Sequence, residues 1–246
     1  MLKKAFWVLL TALALAEPAR LPWGPYTVEV RTYEADSGPL AAERLVLVRN
    51  GEETILVEDQ RIRVRTLEVT GKPPAELWAT GYSGGAHCCF SEYIFAREED
   101  RVVVLTAGNW ENGGLVQARD LNGDGKAELT FVHVYGYLGG LCYACSPAVW
   151  RTFEWQDGRF VDATRRFPEI TEKHLREAKK ALLKASQRNP KDPYLLGQAA
   201  TYWINAYALG KGKEAWAWIE THLGAGTLRW LKKHEIELKR PFSALP

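Results

Sequence analysis

The sequence contains few of the residues and motifs that mark common enzyme classes. It has one Met, four Cys and five His in 246 residues. It has no Gly-x-x-x-x-Gly-Lys-Ser/Thr phosphate loop and no His-Glu-x-x-His motif. This excludes the nucleotide hydrolases and zinc proteases that carry those signatures. Paired carboxylates for sugar cleavage leave no such signature, because their pairing is spatial.

Long apolar runs are also scarce. Ala5 to Ala16 form a twelve-residue apolar run after Lys3 and Lys4, and Ala14-Leu15-Ala16 resembles a signal-peptidase site. Twelve helical residues rise about 18 Å, whereas a bilayer core is about 30 Å thick. We therefore predict a signal peptide over residues 1–16 and export to the periplasm or cell surface, with no transmembrane helix in the mature chain. An uncleaved anchor or a buried N-terminal helix is the alternative.

The net charge of +2 conceals two halves of opposite sign. Residues 17–164 hold 14 Lys and Arg against 22 Asp and Glu, and residues 165–246 hold 16 against 8. This asymmetry predicts two modules with different surfaces. The 10 Trp, 10 Tyr and 8 Phe need burial, which argues against disorder.

The two halves also differ in hydrophobic periodicity. Segments such as Tyr26–Tyr33 and Arg61–Leu67 alternate with period two, and Asn50-Gly51 and Asp157-Gly158 are hairpin turns. The pattern of residues 165–246 instead predicts four helices, with breaks at Asn189-Pro190 and at residues 210–212. We predict an α+β fold, with an antiparallel β domain over 17–164 followed by a four-helix domain over 165–246.

The β domain contains an internal repeat at an offset of 52 residues. Residues 68–77 align with residues 120–129, and each segment is followed by a short strand, an aromatic residue and a Gly-Gly pair. The second copy, Asp-x-Asn-x-Asp-Gly-x-x-Glu, has oxygen donors at the alternate positions that Ca²⁺ favours. An acidic turn without an ion is the alternative. The predicted Ca²⁺ ligands are Asp120, Asn122, Asp124, the Lys126 carbonyl and Glu128.

The first copy has a lysine where the second has Asp124. We predict that the Lys72 ammonium lies near Glu68 or Glu76 and replaces the cation, so that the first loop binds no metal.

The four cysteines, Cys88, Cys89, Cys142 and Cys145, follow the two Gly-Gly pairs. An even number in an exported chain favours disulfides. Adjacent Cα atoms lie only about 3.8 Å apart, so Cys88 and Cys89 are expected to bridge to Cys142 and Cys145 in an order that the sequence leaves open. A zinc site of the four thiols and a reactive cysteine paired with His87 are the alternatives.

Two resemblances follow from these motifs. Asp120–Leu129 resembles the calcium loops of FG-GAP and VCBS repeats, and Tyr82-Ser-Gly-Gly-Ala-His-Cys-Cys89 resembles a motif of a group of uncharacterised exported bacterial proteins. The resemblance implies blade-like β units and the same five calcium ligands. A closed propeller needs more residues than this half contains, so a compact sheet assembly is expected. Residues 189–215 are similar to a tetratricopeptide helix pair.

The helical half offers a candidate partner surface. Its tryptophans could form a groove for a peptide or glycan, although core packing is the default, and its positive charge could attract anionic polymer, membrane or nucleic acid. No feature is specific for nucleic acid. We therefore predict a calcium-binding, disulfide-stabilised binding or structural module without catalysis, acting on protein or cell-envelope polymer. A hydrolase acting on envelope polymer at the domain interface is the alternative. The four tryptophans are Trp203, Trp216, Trp218 and Trp230.

Overall fold

The structure, a computed structural model, describes residues 20–33, 42–85, 89–111, 113–185 and 192–243. The predicted signal peptide therefore lies outside the described residues, as do His87 and Cys88. In the described ranges the chain forms twelve strands followed by four helices, which confirms the α+β fold class. The strands are β1 (Arg20–Trp23), β2 (Tyr26–Tyr33), β3 (Ala42–Arg49), β4 (Glu52–Asp59), β5 (Arg61–Leu67), β6 (Glu76–Tyr82), β7 (Phe90–Glu98), β8 (Arg101–Glu111), β9 (Gly114–Arg119), β10 (Glu128–Val134), β11 (Ala148–Gln156) and β12 (Arg159–Asp162). The helices are α1 (Glu169–Ala185), α2 (Pro193–Ala208), α3 (Gly212–His222) and α4 (Ala225–Lys239).

Hairpin turns form where the sequence predicts them. Asn50 and Gly51 join β3 to β4 with φ of 53° and 83°, and Asp157 and Gly158 join β11 to β12 with φ of 50° and 80°. A two-residue turn with both φ positive matches the twist of the flanking strands, and Asn-Gly and Asp-Gly tolerate that conformation best.

The strands form three four-stranded antiparallel sheets, ordered β1-β2-β3-β4, β5-β6-β7-β8 and β12-β11-β10-β9. Each sheet is an up-and-down meander, as expected for a blade, and the three do not close into a propeller. One apolar core contains Trp23, Leu45 and Leu77 between the first and second sheets. Another contains Ile94 and Phe131 between the second and third sheets. The repeat falls in the second and third sheets, whereas the first sheet has only residues 24–25 at the equivalent β1–β2 connection.

The helices pack on the third sheet around α2, which is buried along most of its length. Leu195, Ala199 and Ile204 of α2 share a core with Leu182 of α1 and Val149 of β11. An N-cap at Asp192, whose side chain accepts the Tyr194 N–H at 2.8 Å, and Pro193 at the first turn begin α2. In the described part of the chain, no helix has both the length and the apolar character needed to span a bilayer.

A side chain of α2 completes the open edge of β11. β12 pairs only with residues 153–156 of β11, so the first half of β11 lacks a strand neighbour on that side. The fully buried Asn205 amide donates to the Ala148 carbonyl at 2.8 Å, and its oxygen accepts the Trp150 N–H at 3.2 Å. Thr201 Oγ1 accepts the Ala148 N–H at 3.3 Å. The helical half therefore satisfies backbone groups that a strand would otherwise pair.

The expected bridges between the two cysteine pairs are wrong for Cys142 and Cys145. These two residues form a disulfide with each other across a 3₁₀ turn at Tyr143–Cys145. The turn brings their Cα atoms to 5.0 Å, within the range that a disulfide requires. Cys89 is also disulfide-bonded, so its partner is neither of them. No described cysteine is a free thiol, which contradicts the zinc alternative for these three residues.

Candidate functional site: the paired loops and the interdomain cleft

The two copies of the repeat form loops that end on equivalent buried glutamates. Glu76 and Glu128, the first residues of β6 and β10, are 1% and 2% exposed. Glu76 Oε2 accepts the Val69 N–H at 2.7 Å, and Glu128 Oε2 accepts the Leu121 N–H at 2.7 Å. Each carboxylate therefore ties its loop back to the strand that follows it.

The same correspondence extends through the rest of each loop. Gly71 N–H donates to Glu68 at 2.9 Å, and Gly123 N–H donates to Asp120 at 2.6 Å. Residues 70 and 122 each bond through their side chains to the buried glutamate. The sequence repeat is thus also a repeat of hydrogen bonds.

The two loops lie against each other. Ala127 N–H donates to the Glu68 carbonyl at 2.7 Å. A Cβ at Gly71 would lie 3.3 Å from Cδ of Lys126, so glycine leaves room for that side chain. The loops therefore form one structural unit, which we call the paired loops (residues 68–76 and 120–128).

The predicted role of Lys72 is wrong, and the ion pair lies in the other loop. Lys72 forms no ion pair within the described ranges, because neutral donors already occupy the buried Glu76 carboxylate. Instead, Lys126 Nζ lies 3.2 Å from Asp124 Oδ2 in the second loop. The positive charge beside the acidic residues of the second loop therefore comes from Lys126 of the same loop. Lys72, at the position equivalent to Asp124, has no corresponding role in the first loop.

The two exposed aspartates of the second loop are stabilised in their charged form. The Gly125 N–H bond, at 2.9 Å, lowers the pKa of Asp120, and the Gly123 N–H adds to this effect. The Lys126 N–H lowers the pKa of Asp124, with a further contribution from the Lys126 ammonium. Backbone N–H bonds to a carboxylate favour its ionised state.

This donor set meets the requirements of Ca²⁺ only in part. Asp120, Asn122 and Asp124 present oxygens on the exposed side of the loop, whereas Glu128 turns inward to Leu121 and Asn122. Within the described residues, no three His, Cys, Asp or Glu side chains converge as a metal site. A cation at this loop would have to displace the Lys126 ammonium from Asp124.

A second candidate site lies between the third sheet and the helices. Here a cleft of about 1170 Å³ opens between β11, β12 and the helical half. We call it the interdomain cleft. Its lining combines aromatic rings with charged groups of both signs: Glu154, Asp162, Ala163, Arg165, Arg166, Trp203, Tyr207, Ala208, Gly210, Gly212, Lys213, Glu214, Trp216, Lys232, Glu235, Lys239 and Phe242.

Most carboxylates of the interdomain cleft are held in ion pairs. Glu154 pairs with Arg166 and Asp162 with the buried Arg151, whose Nη2 lies 2.8 Å from Asp162 Oδ2. Glu235 pairs with Lys239 at 2.5 Å. By contrast, three cations of the lining form no ion pair with any described residue, which leaves positive charge available in the cleft. They are Arg165, Lys213 and Lys232.

The aromatic groups of the cleft form a connected cluster. Trp203 meets Trp216 edge to face at 5.7 Å between ring centroids and lies 5.7 Å from the Tyr207 ring. Lys239 Nζ lies over the Trp203 and Tyr207 rings at 5.6 and 5.1 Å. Trp203 is 3% exposed, so Trp216, which is half-buried, presents the accessible indole.

The other two predicted partner-surface tryptophans lie elsewhere. Trp218 stacks on His222 at 4.4 Å, on the α1 side of α3. Trp230 packs with His234 against the turn at Gly139. The four tryptophans therefore do not form one face, and only Trp203 and Trp216 share a site.

The described acid–base groups whose pKa is shifted by burial lie outside the interdomain cleft. Burial raises the pKa of Glu92, which is 3% exposed and accepts the Trp78 Nε1–H, the Thr80 hydroxyl and the Leu115 N–H. Burial also lowers the pKa of His133 to about 4, helped by the charge of Arg151. Glu92 bridges the second and third sheets through Leu115 and has a structural role there.

Comparisons with known proteins give one distant relative. A probable thylakoid lumen protein of Synechocystis sp. is 31% identical over 154 residues, which cover 58% of this chain and 42% of that protein. The chain thus spans less than half the length of this relative. No family model matches the sequence, and no solved structure matches it.

Proposed function

We propose that this protein is a non-catalytic binding module of an exported compartment, a lumen or periplasm, and that its interdomain cleft binds an anionic envelope polymer. The observation that carries the proposal is the combination of an accessible indole, Trp216, with Lys213 and Lys232, which form no ion pair with any described residue, in one cleft. Sugar rings pack on aromatic faces, and free cations attract carboxylates or phosphates along a polymer.

Four further observations support the proposal. The apolar N-terminal run is typical of export, and the relative in Synechocystis sp. carries a lumenal name. The Cys142–Cys145 disulfide suits an oxidising compartment. The ion pairs of Glu154, Asp162 and Glu235 hold the carboxylates that a hydrolase at this interface would need as acid and base.

The test is binding to polygalacturonate, an anionic polysaccharide, with neutral dextran as the reference. We expect binding to the first only, and about a tenfold loss of affinity in the double variant Lys213→Gln/Lys232→Gln, because each removed charge costs about 0.7 kcal/mol. Lys180→Gln, on the exposed face of α1 and outside the cleft, is the matched control. Equal binding of dextran, or an unchanged affinity in the double variant, would contradict the proposal.

We also propose that the second of the paired loops binds Ca²⁺ through Asp120, Asn122, Asp124 and the Lys126 carbonyl, with Glu128 as the buried support. The chemistry of the donor set supports this, since hard oxygen ligands at alternate loop positions suit a hard cation. The ion would rigidify the paired loops, whose Val69 and Ala127 belong to the core between the second and third sheets.

The calcium proposal predicts that one substitution at the loop raises the affinity for Ca²⁺. Lys126→Met removes the ammonium that neutralises Asp124, so we expect it to raise Ca²⁺ affinity about tenfold, because a competing charge is lost. Asp124→Asn should abolish the response. The measurement is the difference between the midpoint of thermal unfolding with about 5 mM CaCl₂ and the midpoint with a chelator. If calcium shifts the midpoint of neither the wild type nor Lys126→Met, the second loop is an acidic turn without an ion.

A further inference from the structure

A row of three arginines on β5 forms a second charged surface, remote from the interdomain cleft in the fold. Arg61, Arg63 and Arg65 alternate with Ile62 and Val64, which pack into the core between the first and second sheets. The arginines therefore project from the opposite face of the strand and are exposed. We call this surface the arginine row.

None of these guanidinium groups has a carboxylate partner among the described residues. The acidic side chains near β5 are bound by other donors. Glu43 Oε2 accepts the Ile62 N–H, and neutral donors occupy the oxygens of the buried Glu76 and Glu92. The charge of Arg65 also favours the ionised form of the buried Glu92. The arginine row thus places three exposed positive charges, none of them in an ion pair with a described residue, in the half of the chain that is acidic overall.

Aromatic rings flank the arginine row at both ends. Arg65 lies opposite Trp78 in the sheet, with its Cζ 3.7 Å from the indole centroid. Arg61 lies opposite Tyr82, whose ring lies 5.0 Å from that of Phe90. Stacking fixes the plane of the Arg65 guanidinium and leaves its N–H edge free for an anion.

We propose that the arginine row binds an extended acidic peptide segment of a partner protein. Side chains two residues apart on a strand are spaced by about 6.7 Å, so an extended peptide with Asp or Glu at alternate positions has the same repeat as the row. Each carboxylate can then form a bidentate pair with one guanidinium.

The experiment compares two fluorescent peptides of equal composition by anisotropy. One alternates Glu and Thr, and the other has all its Glu residues in one block followed by all its Thr residues. We expect the alternating peptide to bind about tenfold more tightly, because only the alternating spacing lets all three guanidinium groups pair with a carboxylate. Arg63→Gln removes one of these pairs and should lower the affinity for the alternating peptide about tenfold. Arg63→Lys keeps the charge but cannot form a bidentate pair with a carboxylate, so it should give an intermediate affinity.

Two controls make the result specific. Arg101→Gln, on the opposite edge strand of the same sheet, should bind like the wild type. The cleft variant Lys213→Gln/Lys232→Gln should also bind like the wild type, so that failure here is separate from failure of the proposed function. Equal affinity for the two peptides, or equal losses in Arg63→Gln and Arg101→Gln, would overturn the proposal. Tighter binding to inorganic polyphosphate of equal charge would assign the row to a phosphate polymer and would also overturn it.

Discussion

Replacing Asn205 by leucine is expected to lower the free energy of unfolding by about 3 kcal/mol, because each buried backbone group left without a partner costs about 1–3 kcal/mol. Leucine fills a similar volume but cannot bond to the Ala148 carbonyl or the Trp150 N–H, which face Asn205 at 2.8 and 3.2 Å. Both groups belong to the half of β11 that has no strand neighbour on this side. Urea unfolding followed by circular dichroism measures the loss.

The matched control is Gln198→Leu on the same helix. Gln198 is half-buried and forms no side-chain hydrogen bond with any described residue, so its replacement should stay within about 0.5 kcal/mol of the wild type. Similar losses in the two variants would show that α2 tolerates leucine poorly in general and that the Asn205 bonds contribute little.

Gly197→Ala should destabilise the chain by about 2 kcal/mol, although alanine is favoured over glycine in a helix interior by about 1 kcal/mol. The reversed sign follows from packing. A Cβ at Gly197 would lie 1.8 Å from the carbonyl oxygen of Cys145, which is backbone within the disulfide-closed turn and cannot move as a side chain could. Helix α2 would have to shift away from the turn. The midpoint of thermal unfolding measures the effect.

The shift of α2 also makes the two substitutions interdependent. Asn205 and Gly197 lie on the same helix, and a displaced helix can no longer place the Asn205 amide on β11. The double variant Gly197→Ala/Asn205→Leu should therefore lose less than the sum of the single losses. Gln198→Ala tests helix propensity alone at the next position. An increase in the midpoint for Gly197→Ala would show that the turn yields to the methyl group.

Local patterns in the sequence predicted most of the elements. Strands β2 and β5 have the predicted bounds, and the four helices begin and end close to the predicted breaks, because alternation, turn residues and caps are local signals. Strands β1 and β9 were not predicted. β1 has four residues including Pro22, and β9 has six residues that begin at the second glycine of a Gly-Gly pair, so neither shows a sustained alternation.

The candidate sites were harder to predict, because they depend on packing between distant segments. The second loop was found from its own residues, but the Lys126–Asp124 ion pair was not, since the sequence does not show which lysine folds over the loop. The cysteine prediction assumed long-range bridges and overlooked a 3₁₀ turn between Cys142 and Cys145. The interdomain cleft draws its lining from residues 154 to 242, so no local pattern marks it.

Asn205 did leave a signal that sequence reasoning passed over. It is the one amide in the apolar stretch Tyr202-Trp-Ile-Asn-Ala-Tyr-Ala208, and a lone polar residue there indicates a buried hydrogen-bond partner. The identity of that partner could come only from the tertiary structure.

The short length of β12 has a consequence for how the molecule avoids self-association. β4 and β8, the last strands of the first two sheets, have eight and eleven residues, whereas β12 has four. A bare strand edge recruits strands from other chains, and natural proteins protect such edges with helices or loops. Here α2 covers the half of β11 that has no strand neighbour on the side of β12. By covering this edge, the helical half is expected to keep the third sheet from pairing with strands of other chains. The surface charge changes sign near residue 164, but the two halves depend on each other for stability.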